Sequence, residues 1–288
     1  MLLYLCYGGE TMTDKVVRLI DREVIKHSAA IQIRGSVGLL ARRAWNVMLA
    51  HAYDKLTDTD EHTIKMSDLA AALEFDSNNF DGLKGPMREL VNASVEWNAL
   101  EKDKEATWGV SSLLAHIQFD RGVAKFSYSP FLRRMLHEPR MYARIKLSLQ
   151  NAFKSKYSLI LYELMLDYFD AGRQTGETPW ISLEKFRELM GVDDSQYPAF
   201  KALGQWVIKP AVDEVSARSD LAVEVQYQRE SRRVVALKFS AKPRKGKKVK
   251  VRNPSASPKT PGRKKAGRPD PHVSEHKGPV DRGIGTGW

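Results

Sequence analysis

The chain has 288 residues, a hydrophobic fraction of 42% and a formal net charge of +11, enough for two ordinary domains with real cores. Its one cysteine, Cys6, excludes a disulfide framework and any Cys-based zinc site, and suits a reducing cytoplasm. No apolar run reaches the roughly 18 residues that span a bilayer, so no membrane partner is expected.

The charge is unevenly placed. Ala241 to Trp288 carries fourteen Lys or Arg against three acids, which leaves thirty-two of each sign in residues 1–240. That last stretch is Pro, Gly, Ser, Lys and Arg with too little apolar surface to offset its ordering entropy. Residues 242–288 are therefore expected to be a disordered basic tail. Within the balanced body, Arg121 to Lys156 holds nine basic residues and only Glu138 in opposition. A local field of that kind favours polyanions, nucleic acid foremost.

In chain order, residues 1–25 read as a flexible N-terminus. The opening is too short for a signal-peptide core and lacks a basic n-region, and Met12 is the expected true start. A helix is predicted over Val37–Leu56, with Leu40, Ala44, Val47 and Met48 facing inward and Arg42, Arg43 and Asn46 off that stripe. Ser67 is expected to cap a short helix ending at Phe75. A third helix, Phe80–Ala93, leads into alternating strands at 94–100, 114–119 and 124–128, the last two paired across Arg121-Gly122. Residues 140–154 read as a basic linker.

The second half repeats the plan. From Ser155 to Phe169 the apolar residues recur at 157, 160, 161, 164, 165 and 168, one helical face, with Leu159, Leu166 and Phe169 adding burial on other sides. Ser182 caps a helix to Met190, Gly191 to Ser195 turns, and Tyr197–Arg218 is the third helical stretch. Strands follow at 221–228 and 234–239, with Arg229, Arg232 and Arg233 at the tip. Leu83 to Ala93 aligns with Val207 to Ala217: Pro86 and Pro210 match, each followed three residues later by an acid and then, two residues on, by valine. Proline inside a helix removes a hydrogen bond and crowds the preceding turn, so each helix is expected to kink or to start afresh there. Helix, helix, helix, strand, strand is the order of a winged helix. The fold class is α+β, two tandem winged-helix domains over 26–139 and 155–241.

No catalytic signature accompanies this plan. There is no phosphate loop ending in Gly-Lys-Ser/Thr and no His-Glu-x-x-His. His272 and His276 are the one metal-spaced pair, and Asp193-Asp194 reads as turn acids. No enzyme activity, cofactor or metal is expected.

Three stretches together resemble the replication initiator proteins of iteron-bearing plasmids: Lys26 to Ile31 running into Ser36 to Asn46, Ser155 to Leu164, and Trp206 to Val215. The resemblance covers about Lys26 to Ser240. It implies a cytoplasmic protein that binds directly repeated sites in double-stranded DNA at a plasmid origin. It further implies opening of the origin, recruitment of the host replication initiator and replicative helicase, and a homodimer in equilibrium with monomer. Carried onto this sequence, the reading helix is Tyr197–Arg218 with Lys201, Gln205 and Lys209, and the wing offers Arg229, Arg232 and Arg233. Ala202, Leu203 and Gly204 interrupt a helix that in the family often carries several arginines. Lys154 and Lys156 lie at the junction of the two domains, and Asn79, Lys84 and Arg88 are the first domain's DNA-contact candidates. On physical grounds, Gln bridges adenine, Lys or Arg reaches guanine, and arginines on a hairpin suit phosphates or the minor groove. A fused pair of winged helices regulating transcription without opening DNA is the alternative.

Overall fold

A computed structural model of the chain describes residues 19, 21–28, 33–34, 37–76, 79–97, 108–137 and 142–245. The expectations for Cys6, Met12, His272, His276 and the tail from 246 onward lie outside the described residues. All described residues belong to one compact unit.

The first half opens with strand β1 (Glu23–His27) and the short β2 (Ile33–Arg34), then helix α1 (Leu39–Ala52). Strand β3 (His62–Lys65) precedes α2 (Met66–Ala72), and a 3₁₀ turn at Phe80–Leu83 leads into α3 (Lys84–Asn92). Strands β4 (Ser94–Trp97), β5 (Gly109–Ser112), β6 (His116–Asp120) and β7 (Val123–Ser127) follow. The predicted hairpin is present: β6 and β7 pair from Asp120↔Val123 outward, and Arg121 and Gly122 both adopt positive φ, the backbone that suits a two-residue turn between twisted strands. β3 adds to it as a third strand, an element too short for its alternation to stand out in the sequence. Ser67 does not cap α2. Lys65 occupies the N-cap position, and Ser67 lies inside the helix with its hydroxyl on Asp68.

The linker expected at 140–154 is built otherwise. After α4 (Pro130–His137), strand β8 (Tyr142–Lys146) pairs antiparallel with β1 along its whole length, and Leu147–Gln150 forms a helical turn, α5. Ala143 and Ile145 face the core while Arg144 and Lys146 face outward, the period-2 alternation of a half-buried strand.

Helix α6 (Lys156–Asp167) sits between the two halves, with Ser155 accepting the Tyr157 N–H as its cap. Every residue from Ser158 to Asp167 is buried, as an all-round apolar helix requires. Its one acid in the middle, Glu163, is matched from the first half. Lys26 Nζ lies 2.7 Å from Glu163 Oε2, and Asn46 Nδ2 donates to Oε1 at 2.8 Å and to Gln150 at 3.0 Å. This overturns the placement of Arg42 and Asn46 off the buried face of α1: they are 1% and 0% exposed. A 3.6-residue period describes a helix buried on one side, whereas α1 also packs against α5 and α6. Arg43 is half-buried, and its guanidinium donates to the carbonyls of Asn151, at 3.3 Å, and Phe153.

In the second half, short strands β9 (Phe169–Asp170), β10 (Thr175–Glu177) and β11 (Ile181–Ser182) lead to α7 (Leu183–Met190). Ser182 accepts the Lys185 N–H at 3.2 Å, as expected of a cap, and Gly191 closes the helix in the left-handed conformation, the usual glycine C-cap. A continuous helical stretch follows, α8 (Phe200–Leu203), one wide turn (Gly204–Ile208) and α9 (Lys209–Arg218). The long hairpin β12 (Leu221–Glu230) and β13 (Arg233–Pro243) completes the fold. β13 continues past the expected tail boundary at 242, because Val223↔Ala241 and Leu221↔Pro243 extend the ladder. Arg244 then donates its N–H to Asp220 and its guanidinium to Ala217.

Candidate nucleic-acid interface

The helical stretch 200–218 turns Leu203, Val207, Ile208, Ala211 and Val215 into the core. The opposite side carries Lys201, Gln205 and Lys209, all exposed. Pro210 shapes this stripe. It has no N–H, and its ring would meet the carbonyl of Trp206 in a regular helix. The backbone relieves this by opening one turn, in which the Lys209 N–H bonds back five residues to Gly204. In a regular helix, residues four apart drift by about 40° around the axis. The wider turn winds less per residue, so the three polar side chains fall closer to one line. Pro86 sits in the first turn of α3 after the 3₁₀ turn, whereas Pro210 lies inside a continuous helical stretch that widens just before it.

Gly204 keeps helical φ and ψ, and a methyl group added there would meet nothing within 4 Å. Gly204→Ala is therefore expected to stabilise the fold by about 0.5–1 kcal/mol through the unfolded chain's lost freedom, which urea melts would measure.

The wing stands beside this helix. β12 is exposed from Gln226 to Glu230, while Val234, Ala236 and Leu237 opposite it on β13 stay buried, so one strand of the wing faces solvent and only its tip projects. Ser231 and Arg232 make the tip with positive φ. Arg229, Arg232 and Arg233 are exposed, and none forms an ion pair with a carboxylate among the described residues. The Arg229 guanidinium reaches only the Arg232 carbonyl, at 3.4 Å. Phe200 at the start of the helix stacks edge-on against Tyr227 of the wing, 5.6 Å between centroids, which ties the two parts to each other.

The remaining candidates divide. Lys209 is held by Asp213 at 2.6 Å, an exposed pair that is worth little and is easily exchanged. Lys154 is exposed, and among the described residues only its backbone N–H is engaged, by Glu214. Lys156 is turned inward: its ammonium donates to the Gly191 carbonyl at 2.9 Å, and burial holds its pKa below the usual lysine range. In the first half, Asn79 caps the 3₁₀ turn by accepting the Gly82 N–H. Lys84, paired with Asp81 at 2.7 Å, lines with Arg88 a groove of about 400 Å³ floored by Met87, Val91, Ile117 and Phe119.

The basic window from Arg121 to Lys156 is less open than its composition implies. Lys125 pairs with Asp120, Arg133 with Asp60, Arg144 with Glu23 and Lys146 with Asp220. Asp60, Glu23 and Asp220 are distant in sequence, while Asp120 lies one residue before the window. Two exposed aromatics absent from the expected set lie beside the stripe: Trp206, 59% exposed, and Tyr227, 40% exposed. Among the described residues, no group of three or more His, Cys, Asp or Glu could hold a metal ion, and no helix is long and apolar enough to cross a membrane.

Two family models match the chain, one after the other. The model of Initiator Replication protein, WH1, matches residues 23–166, and that of Initiator Rep protein, WH2, matches 182–241. The chain belongs to the initiator replication protein family. A replication initiation protein of Escherichia coli is 25% identical over 149 residues, 51% of this chain and 46% of that relative's length. The match thus spans less than half of that relative. The crystal structure of Pi initiator protein in complex with iteron DNA has the same fold at a TM-score of 0.61, with 17% identity, over 78% of this chain and 98% of that one. In this initiator the two winged helices meet along α1, β8 and α6.

Proposed function

We propose that this initiator binds directly repeated sites in double-stranded DNA at a plasmid origin, opens the duplex beside them and recruits the host replication initiator and replicative helicase, acting without catalytic chemistry of its own in the cytoplasm. The observation that carries the reading is the pairing of an exposed Lys201–Gln205–Lys209 stripe with a wing whose three arginines have no acidic partner among the described residues. A helix of this kind fits the major groove, while the wing cations suit phosphates or the adjacent minor groove. The Pi initiator complex with iteron DNA supports the choice of repeated sites as ligand. Arg88 and Lys154 extend the cationic surface to the first domain and the junction, and exchange between monomer and dimer would set how many copies reach the origin.

The test is origin opening. Purified full-length protein on supercoiled DNA carrying the sequence adjoining its gene should make thymines next to the bound repeats reactive to permanganate. Footprints without any new reactivity would favour the transcriptional regulator instead. The tail gives a second test. Residues 246–288 carry eleven Lys or Arg against three acids, and each phosphate a cation neutralises steepens the log–log salt dependence by about 0.9. A chain ending at 245 should therefore show a shallower salt slope with its sequence preference unchanged. An unchanged slope with a lost preference would assign sequence reading to the tail.

A further inference from the structure

Trp206 is the exposed apolar residue on the helix proposed to read DNA. At 59% exposure it is far outside the range of a core tryptophan, and a large aromatic left in water forgoes a sizeable burial free energy. Its neighbours in the chain show that this is not a local unwinding of the core: Val207 and Ile208 are 0% and 1% exposed. Among the described residues its indole has no hydrogen-bond, ring or cation partner. Phe200, six residues earlier, turns to the opposite flank and packs on Tyr227 of the wing. The polar stripe of Lys201, Gln205 and Lys209 is thus bordered by the wing on one side and by Trp206 on the other.

We infer that Trp206 reads thymine, its indole lying against the 5-methyl group of a thymine beside the base pair that Gln205 contacts. This rests on the proposed reading that the 200–218 stretch enters the major groove. Thymine's methyl is the one apolar group displayed on the major-groove edge, and a glutamine bridges the N6 and N7 of adenine. Gln205 and Trp206, adjacent in the chain, therefore form a pair suited to consecutive A·T base pairs, one side chain taking the adenine edge and the other the methyl. The open turn at Gly204–Ile208 helps by keeping Gln205 in line with the lysines while Trp206 stands at the border.

Full-length protein would first be used to select its preferred duplex from a randomised library. Each thymine of that duplex would then be replaced singly by deoxyuridine, which removes only the methyl, and affinity measured for wild type, Trp206→Ala and Trp206→Phe. At one thymine the wild type should weaken about fourfold, the transfer value of one buried methyl. Trp206→Ala should be insensitive at that position, and Trp206→Phe should keep most of the response, which guards against a folding defect in the alanine variant. The same uracil response in Trp206→Ala as in wild type at every thymine overturns the inference. So does a Trp206→Ala protein that loses only its cooperation between adjacent sites, since that places the indole against a second copy. A wild type that selects no motif overturns the proposed function together with this inference, whereas a clear motif without coupling to Trp206 overturns this inference alone.

Discussion

Glu163→Ala is expected to destabilise the folded chain by about 3–5 kcal/mol, because it strips the counter-charge from a buried cluster. Lys26, Arg42 and Glu163 are all within 1% of full burial, so two cations share one carboxylate. Lys26 also lies over the Trp45 ring at 5.0 Å, while Arg42 Nε and Nη1 find no hydrogen-bond partner among the described residues. Removing the carboxylate leaves two like charges facing each other out of water and leaves the Asn46 amide nitrogen with Gln150 alone. Lys26→Met is expected to cost less, about 1–3 kcal/mol, since Arg42 and Glu163 then balance. Burial lowers the Lys26 pKa below its ordinary 10.5, with Glu163 opposing that shift and Arg42 adding to it. A base whose folded pKa is lowered binds fewer protons folded than unfolded between the two values, so stability from this group rises with pH across that window. In Glu163→Ala the opposing carboxylate is gone and the window extends to lower pH. Urea melts from pH 7 to 10 should therefore show stability rising more in that variant than in wild type. Equal losses for Glu163→Ala and Lys26→Met would show that the carboxylate does not serve both cations.

That cluster also marks where sequence periodicity stops being informative. The helices after α6 were legible because each is buried on one side and marked by its own local signals: Ser182, Gly191 and Pro210 act on neighbours within five residues. The junction was not. The role of β8 depends on β1, more than a hundred residues earlier, and a basic strand of five residues resembles a linker when its partner is unknown. Arg42 and Asn46 looked like surface residues because a helical wheel has no way to register a second helix arriving on its polar side. The same limit applies to the basic window, where pairing acids from β1, from the turn before β3 and from the turn before β12 neutralise cations that composition alone counts as free. Trp206 failed as a signal for the opposite reason. In sequence, Trp-Val-Ile reads as three core residues, and only the wide turn before Pro210 shows that the first of them faces out.

Gln205→Ala is expected to relax sequence preference at one or two adjacent base pairs while leaving the fold intact. Its side chain is exposed and has no partner among the described residues, so truncation removes no internal contact. A bidentate base contact discriminates by about 1–3 kcal/mol, roughly 5- to 150-fold, and the loss should appear as a degenerate position in a motif selected from a randomised library. Arg88 belongs to α3 of the first domain, beside a groove floored by apolar side chains. A single cation there is better placed to meet a phosphate than to bracket a base edge. Arg88→Ala should therefore weaken binding to every duplex by a similar factor and reduce the salt slope by about 0.9, with the selected motif unchanged. The two variants read different terms of one binding free energy, sequence in the first case and charge in the second. A changed motif for Arg88→Ala with an unchanged one for Gln205→Ala would move sequence reading from the second winged helix to the first.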